Sequence, residues 1–91
     1  MTFEWDDDKD QRNRQKHGVG FDEAKSVFGD PCGMTIADPE HSNDEDRFLD
    51  LGLSTQGRVL VVSYTERGSN IRIISCRKAN KSERKNYEQT N

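Results

Sequence analysis

Phe48-Leu49-Asp50-Leu51-Gly52-Leu53 sets Leu49, Leu51 and Leu53 against Phe48, Asp50 and Gly52. That period of two is the side-chain period of a strand. Ser54-Thr55-Gln56-Gly57 follows, a hairpin connection of common length. Val59-Leu60-Val61-Val62 then drops the alternation, as a strand does when both faces are covered. Thr65 to Asn70 contains Arg67-Gly68-Ser69, a second turn. Beyond it, a regular strand puts Ile71, Ile73, Ser75 and Arg77 on one face and Arg72, Ile74 and Cys76 on the other. This run reads as an antiparallel meander, and the fold class follows from it.

Upstream, Met34–Ala37 reads as a weak strand and Asp38–Asp46 as a polar, acidic loop. Phe21, Ala24, Val27 and Phe28 fall on one helical face, and Gly29-Asp30-Pro31 ends that helix. An earlier helix, about 7–17, has Asp6 or Asp7 as its cap, further acids in its first turn, and Lys16 and His17 at its end. Gly18 supplies a left-handed stop. This helix has no apolar stripe, so it packs through aliphatic stems or faces a partner. Phe3-Glu4-Trp5 reads as an edge strand. Downstream, Asn80 and Glu83 have the spacing of a capping box before a helix of about 81–89. The expected class is α+β: a compact antiparallel sheet of three to five strands, two N-terminal helices and one C-terminal helix, in a single domain spanning 1–91.

Composition sets the limits. A chain of 91 residues buries about 60–65% of its unfolded surface, so its core is small. Leu, Ile, Val and Phe number 17 of those residues. A core this thin points to a partner that supplies part of the stability. Residues 1–50 hold 14 acids and 6 bases, whereas residues 51–91 hold 3 acids and 8 bases. The basic half suits a phosphate backbone and the acidic half repels one. Cys32 and Cys76 make no disulfide framework, and the charged N-terminus lacks an apolar signal run. No window approaches the ~20 apolar residues of a membrane span. The expected setting is the cytoplasm, with reduced thiols.

Two bracketing segments carry a resemblance. Phe3-Glu4-Trp5-Asp6, Asn13 and Lys16-His17-Gly18 lie near the start; Arg72-Ile73-Ile74-Ser75-Cys76-Arg77-Lys78-Ala79, Ser82-Glu83-Arg84 and Tyr87 lie near the end. In order and spacing the chain resembles the BrnT family, toxin halves of type II toxin–antitoxin pairs with a RelE-like ribonuclease fold. The resemblance implies an RNA substrate and a DNA-binding antitoxin of the BrnA type. That antitoxin would cover the toxin and, as a complex, meet operator DNA. A hetero-tetramer is one assembly such a pair forms.

The residues call for no cofactor and no metal. Gly18-Val19-Gly20 lacks the rest of a dinucleotide loop, and there is no Cys-x-x-Cys or His-x-x-x-His. Cys32, Asp38 and His41 are too scattered for a zinc site, and Cys76 reads as a small packing residue in a strand. RNA cleavage needs neither, because the ribose 2′-hydroxyl is the internal nucleophile. The protein must take its proton, steady the phosphorane and protonate the leaving 5′-oxygen.

His17 is the first acid–base candidate, since imidazole titrates near neutrality; plain helix capping is its alternative. Glu45 suits a general base, and Arg47, which resembles the arginine of an Arg-Phe pair in BrnT-like sequences, suits phosphorane stabilisation. A surface ion pair is their alternative. Arg77, at a strand end, is the favoured catalytic cation, against an ion pair with Glu83. Arg72 lies on the opposite face if the strand is regular. It joins Lys16, Arg67 and Arg84 as RNA contacts, with Tyr64 stacking on a base. His41 is set aside because its acidic loop deters RNA. The reading is a metal-independent ribonuclease toxin that inhibits translation. Its rival is a non-catalytic binding module or corepressor for a DNA-binding partner.

Overall fold

A computed structural model describes residues 1–90 of the chain. The order is β1 (Thr2–Glu4), α1 (Asp7–His17), α2 (Phe21–Ser26), β2 (Met34–Ala37), β3 (Arg47–Leu53), β4 (Val59–Arg67), β5 (Asn70–Lys78) and α3 (Lys81–Thr90). One-turn 3-10 helices at Val27–Gly29 and Pro39–His41 extend α2 and follow β2. The five strands form one sheet in the order β1-β5-β4-β3-β2. The α+β class, the two N-terminal helices and the C-terminal helix stand as expected. One pairing differs from the rest: β1 runs parallel to β5, so the sheet is mixed.

The helix ends follow their chemistry. The Asp6 carboxylate accepts from the backbone N–H of Asp8 (2.8 Å) and Lys9 (3.2 Å), filling two of the free donors of α1. Gly18 closes α1 at φ 70°, a conformation that disfavours a side chain. Asn80 and Glu83 exchange the expected pair of bonds, Glu83 N–H to Asn80 Oδ1 at 2.8 Å and Asn80 N–H to Glu83 Oε1 at 2.9 Å.

Helix α1 docks without an apolar stripe. β1 pairs β5 only as far as Arg72, so the edge of β5 would lie open beyond it. Buried Asn13 fills that edge as a peptide group would. Its Nδ2 donates to the carbonyls of Cys76 and Val19, both at 2.8 Å, and its Oδ1 accepts from Cys76 N–H at 3.1 Å. A polar helix thereby satisfies the backbone of a buried strand.

The main core lies between one sheet face and α2. Phe21, Ala24 and Val27 meet Leu60, Val62, Tyr64, Ile71, Ile73 and Cys76. From β3 it is the Phe48, Asp50, Gly52 side that faces this core. Gly52 is needed there, because an added Cβ would lie 2.8 Å from Val27 Cγ1. The leucine side of β3 joins a smaller cluster, in which Leu51, Val61 and Ala79 pack with Leu49, Val59 and Tyr87 beside α3. A buried ionic knot ties α2 to the β3–β4 hairpin. Glu23 accepts from Ser54 Oγ at 2.7 Å and Arg58 Nε at 2.9 Å, and also pairs with Arg58 Nη2.

An irregularity corrects one expectation. The β4–β5 register slips at Ser63/Tyr64, so Ser63 faces Ser75 while Tyr64 faces Ile73. Ile74 is the extra residue of a bulge, and alternation restarts after it. Arg72 pairs with Thr65 and Arg77 with Val61, so both arginines project from the face away from α2.

Candidate functional site

The outer sheet face has two ends. α3 covers the end holding Leu51 and Val61, and the other end is open. There Arg47 of β3, Thr65 of β4 and Arg72 of β5 form one cross-strand row. Arg67 lies two residues beyond Thr65 and shares its face. These four and Ile74 line a cleft of about 210 Å³. Lys9 reaches it from the first turns of α1, and the loop after β2 brings His41, Asn43, Asp44 and Glu45 to the rim.

The loop is held at its base. Asp38 N–H donates to Arg47 O at 2.8 Å, continuing the β2–β3 ladder. Ser42 Oγ donates to Asp38 O at 2.7 Å and accepts from Arg47 N–H at 2.9 Å. Further along, Glu45 takes a two-point bond from Arg67, at 2.8 and 3.1 Å. That bond holds the Glu45 carboxyl below its usual range, so it is ionised near neutrality.

The cations are unequally engaged. Arg72 donates to Glu4 at 2.9 Å. Half-buried Arg47 has no side-chain hydrogen bond or ion pair among the described residues. Between them Thr65 is 3% exposed, and its Oγ1 is buried with no partner. Native proteins rarely leave a buried hydroxyl so, because the lost water bonds go unreplaced.

The cleft therefore unites four predicted residues: Glu45, Arg47, Arg67 and Arg72. It excludes five. Lys16 and His17 end α1, and His17 lies eight residues from Lys9, about 12 Å along the axis at 1.5 Å per residue. Arg77 makes the ion pair that was its alternative, donating to both Glu83 oxygens at 2.7 and 2.9 Å. Arg84 donates to Ala79 O at 3.1 Å, at the covered end. Tyr64 is 4% exposed, edge-on to Phe28 at 4.9 Å, with its hydroxyl donating to Asp50 at 3.1 Å. Its ring belongs to the core and offers no stacking face; burial, with Asp50 beside it, pushes its pKa to about 12. Burial likewise lifts Cys76 to about 12, which suits packing and not nucleophilic attack.

Lys9, His41 and Thr65 were missed. Lys9 and Thr65 look ordinary in sequence; only the path of α1 and the strand register bring them to the cleft. His41 was visible, and its loop hid it. Among the described residues no three His, Cys, Asp or Glu side chains are grouped to hold a metal, and no helix is long and apolar enough to cross a membrane.

The chain falls in a known class of protein: the family of the ribonuclease toxin BrnT, of type II toxin–antitoxin systems, matches residues 5–83. The chain belongs to the BrnT family. Membership brings RNA as target and a protein antitoxin as partner. The crystal structure of the Brucella abortus ribonuclease toxin BrnT has the same fold, with a TM-score of 0.65 and 24% identity over 89% of this chain and 99% of that one. Comparison with curated proteins gives no match.

Proposed function

We propose that the open cleft is the RNA-cleaving centre and that it works without metal, by attack of the ribose 2′-oxygen on the adjacent phosphate. The observation that carries this is the row Arg47–Thr65–Arg72, an unpaired half-buried guanidinium beside a buried hydroxyl with no partner. A phosphate drawn into the cleft would meet Arg47, and a turn of the Thr65 side chain, whose Oγ1 is closed to solvent as it stands, would let the hydroxyl join it. Arg72 would exchange Glu4 for a phosphate oxygen, and the guanidinium fork suits that geometry. The extra negative charge of the phosphorane then meets fixed cations on a strand scaffold.

Glu45 is the proton acceptor for the 2′-hydroxyl. The Arg67 fork lowers the Glu45 carboxyl and holds both its oxygens, so Arg67 must turn to the RNA phosphate before Glu45 takes the proton. The products are a 2′,3′-cyclic phosphate and a 5′-hydroxyl. Loss of RNA stops translation in the cytoplasm. An antitoxin of the BrnA type, itself DNA-binding, silences the toxin and carries the pair to its operator.

Antitoxin-free protein is expected to cleave RNA with chelator present and to leave cyclic phosphate ends. Arg47→Ala should lower the rate by about 10²–10³-fold, the scale for one oxyanion-stabilising donor. Arg77→Ala should change the rate little once stability is matched. Folded wild-type protein that leaves RNA intact yet still binds an antitoxin would replace this reading with the non-catalytic one.

A further inference from the structure

A 2′-oxygen attack needs two proton transfers, and the proposed cleft so far supplies one. Glu45 is held ionised, so it accepts a proton and has none to give at the start. Arginine keeps its protons under all ordinary conditions, and lysine ordinarily releases its own only near pH 10. Of the other proton carriers on the cleft, Asp44 and His41, the imidazole is the group that ordinarily exchanges its proton near neutrality.

Resting on the function proposed above, we propose that His41, steadied by Asp38, protonates the departing 5′-oxygen. The dyad is built into the chain. Asp38 ends the β2 ladder with its N–H on Arg47 O, and its carbonyl accepts from Ser42 Oγ. Pro39 opens a single 3-10 turn, and three residues on His41 returns above Asp38. His41 Nδ1 lies 2.9 Å from Asp38 Oδ2; the carboxylate accepts, so Nδ1 carries a proton there. The Asp38 side chain is only 16% exposed while the ring is 62% exposed. A fixed anion thus holds one nitrogen, and Nε2 has no partner among the described residues. This is the division of labour by which a carboxylate orients an imidazole for proton transfer.

The step balances. The 2′-oxygen bonds to phosphorus as its proton passes to Glu45. His41 enters the step as imidazolium, with a proton on each nitrogen; the bond from phosphorus to the 5′-oxygen breaks, its electron pair takes the Nε2 proton, and the neutral ring keeps its Nδ1 proton on Asp38. Water returns the proton of Glu45 to solvent and resupplies His41. Asp38 acts through His41 and is a positioning residue. An ordinary surface ion pair at the same spot would have no bearing on the leaving group.

The test compares ordinary RNA with RNA in which sulfur replaces the 5′-bridging oxygen, both with chelator. A thiolate leaves without help from an acid, because thiols ordinarily lose their proton near pH 8.5. H41A and H41Q, each checked for folding by circular dichroism, should lose about 10²–10⁴-fold on ordinary RNA. On the sulfur substrate they should stay within a few-fold of wild type. D38N should show a smaller loss, relieved by the same sulfur. Undiminished cleavage of ordinary RNA by H41A, or equal losses on both substrates, overturns the assignment while the ribonuclease reading survives. A wild-type protein that cleaves neither substrate overturns both.

Discussion

In the proposed centre, Thr65 sets folding against function within one residue. Its buried hydroxyl lacks a partner, a condition that costs about 1–3 kcal/mol. Thr65→Val removes the hydroxyl with little change of shape. Urea unfolding of that variant should show stability raised by about 1 kcal/mol, while RNA cleavage falls. A variant that loses stability would mean that the hydroxyl is satisfied in the folded protein. Such a residue is invisible in sequence, where it is one more β-branched strand position. The arginines were visible, but their ranking was not. Arg77 looked exposed to need, yet Glu83 caps α3 and binds Arg77 with the same carboxylate. Arg47, for which a surface ion pair was the alternative, makes none among the described residues.

At the level of elements, the meander, its turns and the helix ends were legible because each depends on local pattern. Two features were not. The bulge at Ser63/Tyr64 leaves no mark in composition, yet it brings Arg72 and Arg77 to one face. The seating of α1 rests on one amide, which periodicity cannot reveal. Asn13→Ala would strip Cys76 N–H and two carbonyls of their partners. Chemical denaturation should register a loss of about 2–3 kcal/mol, at the upper end for buried groups left unsatisfied. A loss below about 0.5 kcal/mol, the range of ordinary surface changes, would show that water replaces the amide.

Across the whole molecule, paired carboxylates set an acid limit. Arg58 bonded to Glu23, and Arg77 bonded to Glu83, hold both carboxyls below the usual 4.5. Their contribution is complete above that value and is lost as the pH falls through the lower, folded values. Tyr64 and Tyr87 set an alkaline limit, the first raised chiefly by burial and the second by its bond to Asp30, both to about 12. That stability is complete below the usual 10.0 and disappears as the pH climbs from there toward 12. Unfolding midpoints measured against pH should form a plateau between these limits; a midpoint that rises below pH 4 would contradict the assignment. Charge distribution bears on RNA in the same way. Single-stranded RNA binding loses about 0.7 log units per tenfold salt for each phosphate engaged. With Lys9, Arg47, Arg67 and Arg72 available, the slope of a binding titration should be no steeper than about −3. A slope near −6 would mean that RNA also runs over cations elsewhere.

The parallel seat of the first strand beside the last has a consequence for synthesis. β1 is made well before β5, which lies between it and β4 in the sheet. Arg72 and the cleft it helps to line therefore cannot form until this last strand has been made.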